Sequence, residues 1–462
     1  MPTPMPPEVI APADVVAYVL AALAIILIAA RVVGTLFEKI GQPRVVGEII
    51  AGILIGPTIL GGALAKAPLP GVPGVAGSGL VNDLFPLQAF SFLNLIGQVA
   101  LVFYMFLVGV ELDQRFLRGR GRQMLIVAIA VTAVPLGLGF VCGALLDGAI
   151  WRPDGISSTA FSLFMGAGLS VTAFPVMARI LQEKQMLGTS LGAVGVGSAA
   201  IVTVIMFLII AAASASAKGS GAVSGAGTKL VLVLGLLVVL AVAVRPLLDY
   251  LTRGWEEDGP LPGNLLAGLL IGALATGLAT DRILGAALVG GFLFGMVVPA
   301  RPGLAEAIIA RMTDAVILFF LPVFLAVSGL RTDLTLINGT VLVGSALFVA
   351  LMIVGKLVVG YLAGRAVGLD SKEAGTLGAL LNCRGLLILV VALIGLQLGV
   401  ITPQTQVVFV IGAIVTTMMT GPLVDLFLPK DVRKATLATT ELSVEDLADG
   451  RRVESGTARI AR

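Results

Sequence analysis

Two apolar segments of the sequence carry small polar residues and helix breakers that could bind an ion inside a membrane. Residues 168–175 include Ser170 and Thr172, and residues 381–385 include Asn382. A helix that breaks at mid-membrane frees backbone carbonyls and exposes half-helix dipoles, and transporters built from inverted repeats place a pair of such breaks at the substrate site. The two segments lie in opposite halves of the chain, so they predict a paired site. The alternative is a simple proline kink in the first segment and a packed asparagine in the second.

Ionisable residues inside apolar runs are the second group that could do chemistry. Lys356, Arg384, Glu48 and Asp314 fall within or at the start of such runs. A charge near the bilayer centre costs several kcal/mol unless it meets a partner or water, so these residues are candidates for charge coupling or gating. The alternative is structural: a buried pair between one of the two cations and Glu48 or Asp314 could fix helix register without binding substrate.

Composition places all of these residues in lipid. The chain has 462 residues, of which 58% are hydrophobic and 12% charged, and its mean hydropathy is +1.06. A soluble globular domain of this size, and hence a soluble enzyme, is excluded. Apolar runs of about twenty residues, each able to cross a hydrocarbon core of about 30 Å, recur from Val15 to Phe427 and predict about thirteen membrane helices. Because barrel strands would read as short alternating segments, the predicted fold is an all-α polytopic membrane protein.

Cysteine and histidine usage narrows the kinds of site further. The chain has two cysteines, Cys142 and Cys383, both in apolar runs, and no histidine. A disulfide framework and a zinc or haem site are therefore not expected, and no cofactor is predicted.

The distribution of Lys and Arg predicts the orientation, because basic loops resist translocation. Loops expected on the cytoplasmic side carry most of these residues, as between Arg115 and Arg122. We expect a multi-pass protein of the cell membrane, with an external N-terminal segment (1–13), a transmembrane domain (14–429) and a cytoplasmic tail (430–462). The first span has no basic region or cleavage motif before it, so we expect it to be retained.

Two further patterns concern loops and packing. The stretches Gly61–Asp83 and Ser214–Lys229 are rich in glycine, proline and small polar residues and are predicted to be external loops. Gly291 and Gly295 form a small-xxx-small pair, for which we favour generic helix packing over a dimerisation motif.

A series of ordered motifs resembles one transporter family. From about Ile26 to Pro429 the chain carries GQPRVVGEIIAGILIGPTILG, LVFYMFLVGVELD, LSVTAFPVMARIL, AVSGLRTDL, GKLVVGYLAGR, and GLQLGVITPQTQ through TTMMTGPLVDL. These motifs resemble the monovalent cation/proton antiporter family, in the branch of the glutathione-gated potassium efflux systems and the plant cation/proton exchangers. The resemblance implies a sodium/proton antiporter-like fold with inverted repeats. In it a core of about six helices moves against a dimerising scaffold, and two broken helices cross near the midplane.

The same resemblance exposes a difference at the expected ion site. The family carries a pair of aspartates at the positions of Val202 and Thr203, and acidic residues at those of Ile388 and Gln397. The family's histidine near residues 284–288 is missing as well. One carboxylate cannot hold a cation and a proton at once, which is how the family's aspartates couple the two.

Neutral groups would then have to replace the aspartates. Hydroxyl and amide oxygens could then coordinate the ion as neutral ligands, from Ser170, Thr172, Thr203 and Asn382. Glu48 could supply charge if it reaches the site, and Val202 belongs to the same candidate site. Proton coupling would need another titratable group, for which Lys356 is the candidate.

Three functions remain open at this point. The first is exchange of a monovalent cation, Na⁺ or K⁺, for protons by a homodimer with altered coupling. The second is a carrier of the same fold for an anionic or organic solute, motivated by Lys356 and Arg384 at the crossing. The third is a transport-dead sensor or scaffold, which a missing water-accessible cavity would favour.

Overall fold

A computed structural model describes most of residues 12–428 of the chain. Residues 57–86, 112–119, 217–221 and 256–260 lie outside the description, as do several positions between 174 and 188 and the single residues 254, 285, 300, 331, 333 and 386. The predicted loop Gly61–Asp83 and the predicted tail (430–462) thus lie outside the described residues, and so does most of the predicted N-terminal segment.

All regular secondary structure in the described residues is helical, as predicted. Seventeen α-helices are numbered here in chain order, and in three places a π-helical turn joins two of them into one longer helix. The α-helices are α1 (Pro12–Lys39), α2 (Arg44–Ile55), α3 (Leu87–Glu111), α4 (Gly121–Leu145), α5 (Ser158–Ser170), α6 (Ser190–Ser216), α7 (Ala222–Val239), α8 (Arg245–Leu251), α9 (Gly263–Leu284), α10 (Ala287–Val297), α11 (Leu304–Ala315), α12 (Leu321–Leu330), α13 (Gly339–Ile353), α14 (Val359–Ala366), α15 (Ser371–Leu381), α16 (Leu387–Gln397) and α17 (Pro403–Phe427).

The lengths of these helices fit a multi-pass membrane protein. Within the described ranges, nine helices or joined helices are long and apolar enough to cross a membrane, and α10 and α16 are shorter apolar helices. Such helices are stable in lipid because each satisfies its own backbone hydrogen bonds. The expected total of about thirteen passes, which counts short and broken segments, stays a prediction.

Helix packing divides the described helices into two groups. The lateral group consists of α1–α3 and α9–α12, and the crossing group consists of α4–α6 and α13–α17; α7 packs against α6 of one group and α9 of the other. The crossing group takes a long helix, an interrupted segment and another long helix from each half of the chain. This arrangement brings the two predicted breaks together.

Glycines allow close packing inside the lateral group. A Cβ added at Gly291 would lie 2.2 Å from the Val102 carbonyl oxygen, and one at Gly295 would lie 2.3 Å from that of Phe106. Both glycines of α10 therefore face α3 of the same chain. The prediction that this pair serves helix packing is confirmed.

The predicted loop Ser214–Lys229 is wrong at both ends. Residues up to Ser216 continue α6, and α7 already begins at Ala222. In a soluble protein, a run of alanine, serine and glycine is typical of a loop. In lipid they are common helix residues, because an unpaired backbone costs more there than a weak helix propensity.

A candidate ion site where two broken helices cross

The two interrupted segments are in direct contact. Thr172 Oγ1 donates a hydrogen bond of 3.0 Å to the Leu381 carbonyl, and the Ala173 amide donates one of 2.8 Å to the Cys383 carbonyl. The breaks are therefore joined by backbone and side-chain bonds between residues about two hundred positions apart. The two segments therefore meet in space, and their use as a paired ion site stays a prediction.

Local conformation explains where each helix stops. After α5 ends at Ser170, Val171 is extended, with φ −60° and ψ 144°. The second break contains Gly385 in the left-handed region, with φ +50°. A Cβ at Gly385 would also lie 2.8 Å from the Ala173 Cβ. The geometry of the crossing therefore requires glycine at this position, both for the backbone conformation and for space.

Arg384 binds the end of α5. Its side chain is fully buried, and its guanidinium donates to the carbonyls of Gly168, at 2.9 Å, and Val171, at 3.0 Å, and also to that of Leu169. A further bond of 3.1 Å reaches the Met352 carbonyl of α13. The last carbonyls of a helix have no partner within it and carry the negative end of its dipole. Arg384 therefore stabilises the broken end of α5, and these carbonyls offset its charge.

Lys356 lies on the other side of the same crossing. It is fully buried in the π-helical turn Val354–Val358 between α13 and α14. Its Nζ donates a hydrogen bond of 2.9 Å to Thr172 Oγ1, which itself donates to the Leu381 carbonyl at the end of α15. A chain of two hydrogen bonds thus links the lysine, the first break and the second break. Isolated π turns inside α-helices occur frequently at functional sites.

Asn382 carries a buried side-chain amide at the second break. Its side chain is fully buried, and within the described residues neither its amide nitrogen nor its amide oxygen has a hydrogen-bond partner. Arg384 Nε is likewise buried without a partner. Buried polar groups are rarely left unpaired, so such a group at a crossing of broken helices is a candidate for ligand contact.

Ser170, Thr203 and Val202 lie on the helices around the crossing. Ser170 Oγ donates a bond of 3.1 Å to the Thr132 carbonyl of α4. Thr203 Oγ1 donates one of 2.9 Å to the Ala199 carbonyl of its own helix. Val202 is fully buried in the hydrophobic core. The helix that carries Val202 and Thr203, α6, packs against α4, α5 and α15, so these two positions belong to the crossing group.

The carboxylates Glu48 and Asp314 lie elsewhere. Glu48 is buried on α2 and forms an ion pair of 3.1 Å with Arg44 one turn earlier, while Asp314 is exposed on α11. In the described part of the chain, neither pairs with Lys356 or Arg384. The alternative of a buried pair with one of these carboxylates therefore does not hold, because carbonyl and hydroxyl oxygens take that place.

Three contributors to the site were not anticipated from the sequence. Thr417 Oγ1 on α17 accepts a bond of 3.1 Å from the Gly385 amide, and Met352 supplies a carbonyl to Arg384. Pro135 of α4 packs beside the π turn, 3.2 Å from a Cβ added at Gly355. The polar run TTMMTGP in an apolar helix was a signal for Thr417, whereas the π turn and the Met352 carbonyl leave no trace in the sequence.

Comparison with known families decides the assignment. The family described as "Sodium/hydrogen exchanger, transmembrane" matches residues 23–426. The chain belongs to this sodium/hydrogen exchanger family. The match covers α2 to α16 in full, nearly all of α17 and the second part of α1 from residue 23 onward, so it includes both breaks and Lys356.

Named relatives agree with this family. The exchanger chain is 36% identical over 411 residues to the Na(+)/H(+) antiporter NhaS4 of Synechocystis, and the alignment covers 88% of this chain and 96% of that protein. It is 31% identical to Cation/H(+) antiporter 18 of Arabidopsis thaliana over 87% of this chain and 48% of that one. It is 28% identical to K(+)/H(+) antiporter 1 of Saccharomyces cerevisiae over 92% of this chain and 48% of that one. The chain thus spans about half the length of these plant and yeast relatives.

A solved structure shows the same fold. The sodium proton antiporter MjNhaP1 of Methanocaldococcus jannaschii superposes with a TM-score of 0.61 over 88% of this exchanger chain and 96% of that chain, at 14% identity. The fold class predicted from the sequence is therefore confirmed as antiporter-like.

Proposed function

We propose that this exchanger-family chain moves a monovalent cation, Na⁺ or K⁺, across a membrane in exchange for protons. The observation that carries the proposal is the crossing itself, where two breaks from opposite halves of the chain meet beside the fully buried Lys356. Broken helices at such a crossing supply freed carbonyls and dipole ends to an ion. The relatives reported above are named as Na⁺/H⁺, K⁺/H⁺ or cation/H⁺ antiporters, which supports exchange over an anion carrier or a sensor.

Lys356 is the group that we propose to carry the proton. An arginine guanidinium stays protonated in proteins, so Arg384 keeps its charge, whereas a lysine amine can gain or lose a proton. A protonated Lys356 would repel a cation at the crossing, and a neutral one would admit it. The proton on Lys356 and the cation exclude each other, because both positive charges compete for one buried site, and this exclusion couples their exchange.

Alternating access would come from movement of the crossing group against the lateral group. In this proposal the lateral group also forms the interface of a homodimer. The chain lies in the cell membrane with residues 1–13 outside, a transmembrane domain over residues 14–429 and a cytoplasmic tail over residues 430–462. Mass photometry of the purified chain and accessibility labelling of single cysteines placed in residues 1–13 and 430–462 would check the dimer and the orientation.

Proteoliposomes test the exchange itself. The purified chain is reconstituted with an acidic interior and a pH-sensitive dye, and Na⁺, K⁺ or choline is added outside as the chloride salt. We expect Na⁺ or K⁺ to dissipate the pH gradient and choline to leave it unchanged. The absence of cation-dependent proton flux from mildly acidic to alkaline pH would refute the proposal. Empty liposomes, with an ionophore added at the end, control for leak and for the size of the gradient.

A further inference from the structure

We propose that the cation binds at the second break, on the Leu381 carbonyl oxygen and Asn382 Oδ1, and that the Thr172 hydroxyl opens this place when Lys356 loses its proton. The inference rests on the proposed exchange and specifies its binding site. It replaces the missing carboxylate pair with neutral oxygens and moves the site from α6 to the end of α15.

The first observation is the unused capacity of Asn382. Both polar atoms of its amide are buried and have no hydrogen-bond partner in the part of the chain that the structure describes, although burying an amide without a partner costs about 1–3 kcal/mol. The carbonyl oxygen of this amide is a hard ligand of the kind that Na⁺ and K⁺ accept in place of water. A cation bound to Oδ1 would give this buried oxygen the partner that it lacks in the described residues.

The second observation is the neighbouring end of α15. The helix ends at Leu381, whose carbonyl points to the crossing and accepts the Thr172 hydroxyl at 3.0 Å. Carbonyls at a helix C-terminus carry partial negative charge and favour a cation. The end of α5 has the same character, but its carbonyls are taken by Arg384. At the end of α15 the partner given for the Leu381 carbonyl among the described residues is the Thr172 hydroxyl, which can rotate away.

The third observation is the direction of the hydrogen bonds. A protonated lysine has three N–H donors and no acceptor, so Lys356 must donate to Thr172 Oγ1, whose own proton then goes to the Leu381 carbonyl. A neutral lysine has a lone pair. The Thr172 hydroxyl can then rotate to donate to Nζ, and the Leu381 carbonyl loses its donor and is free to bind a cation.

The step balances in protons and in charge. One proton leaves Lys356 Nζ for water, the Thr172 hydroxyl keeps its own proton, and no covalent bond other than that N–H bond changes. The crossing holds one mobile positive charge in each state, either the lysine proton or the cation. Release of the cation reverses the sequence, so the site exchanges one charge for another.

Other charged groups near Lys356 do not replace it in this role. The elements packed against its π turn are α4, α5, α13, α14 and α15. They and the adjoining second break carry the following charged or titratable side chains: Arg122, Cys142, Tyr361, Arg365, Lys372, Glu373, Cys383 and Arg384. Arg122, Arg365 and Lys372 are exposed at helix ends. Arg384 acts on Lys356 electrostatically, and it keeps a constant charge because guanidinium stays protonated.

Three variants of the full chain test the inference after wild-type exchange has been measured. Asn382→Leu removes the amide oxygen, so we expect the apparent KM for Na⁺ or K⁺ to rise about tenfold or more, with a smaller change in maximal rate. Thr172→Val removes the hydroxyl that guards Leu381, so we expect cation binding to depend less steeply on pH and exchange to fall. Thr172→Ser keeps a hydroxyl and should restore the wild-type pH profile.

Binding is read separately as the rise in thermal unfolding temperature of purified protein in NaCl or KCl over choline chloride, at acidic and at alkaline pH. The matched control is Thr276→Val, since the Thr276 hydroxyl bonds the Gly272 carbonyl of its own helix and lies outside the crossing group. An unchanged KM in Asn382→Leu, or a wild-type pH profile in Thr172→Val, would overturn the inference while leaving the exchange intact. Loss of exchange in the wild type would instead refute the proposed function. Thr172→Ser and the unfolding temperatures identify variants that merely misfold.

Discussion

Arg384 in the second break donates a hydrogen bond of 3.0 Å to the Val171 carbonyl in the first. Arg384 follows α15 and Val171 follows α5, so the bond joins the two breaks directly. Bonds from Arg384 to two carbonyls of α5 reinforce it. The arginine therefore holds the crossing together, whereas Lys356 is the cation that can change charge. The two buried cations have different tasks, and the first prediction separates them.

Replacing Arg384 with lysine tests the structural task. A lysine keeps the charge, but its single ammonium cannot span the fork of carbonyls that the guanidinium binds. We expect Arg384→Lys to destabilise the protein by on the order of 3 kcal/mol, since several carbonyls at the end of α5 lose their donor. Thermal unfolding in detergent measures the change. Arg282→Lys, on the exposed end of α9, is the matched control and should unfold like the wild type. Equal unfolding temperatures for the two variants would contradict the role given to Arg384.

Replacing Gly385 with alanine tests the geometry of the second break. The residue has φ +50°, and a Cβ there would press on the Ala173 Cβ at 2.8 Å. We expect a loss of about 1–2 kcal/mol in stability from the left-handed backbone alone, with further loss from the contact. Gly137→Ala on α4 is the control, because a Cβ at Gly137 meets nothing within 4 Å and alanine favours a helix over glycine. If the two variants unfold at the same temperature, the crossing does not require glycine.

The sequence predicts the breaks better than it predicts their partners. Glycine, proline and small polar residues in two apolar runs predicted the two breaks, and both segments are broken in the structure. Which oxygen accepts from Lys356 depends on helix packing, and the Thr172 hydroxyl takes the place that the alternative of a buried pair gave to a carboxylate. The carbonyls that bind Arg384 cannot be predicted from residue types, since every residue has a backbone carbonyl. The loop expected at Ser214–Lys229 failed because residues that are small enough for a turn in water also suit a helix in lipid.

Fixing the charge of Lys356 tests the proton step. Lys356→Arg keeps a permanent positive charge at the crossing, so we expect it to lose both cation binding and exchange at every pH. Lys356→Gln is neutral, so it should still bind Na⁺ or K⁺, lose proton exchange, and show no dependence of binding on pH. In the wild type, binding should weaken as pH falls, because the proton on the lysine excludes the cation. Dye-based proton flux and thermal stabilisation by the cation measure the two effects. Continued proton exchange in Lys356→Gln would show that Lys356 does not carry the proton.

Adding the carboxylates that the family resemblance implies tests whether the fold can still use them. Val202 and Thr203 are uncharged residues. In the structure Val202 is buried on α6, and Thr203 Oγ1 is bonded to its own helix. We expect the double variant Val202→Asp with Thr203→Asp to bind Na⁺ or K⁺ at least about tenfold more tightly, since a carboxylate attracts a cation more strongly than a neutral oxygen does. Its proton exchange should persist when Lys356 is changed to Gln, because the new carboxylates can carry the proton themselves. The neutral pair Val202→Asn with Thr203→Asn controls for polarity and volume. If the double aspartate variant folds but still requires Lys356, then α6 does not reach the ion in this protein and coupling rests on the crossing alone.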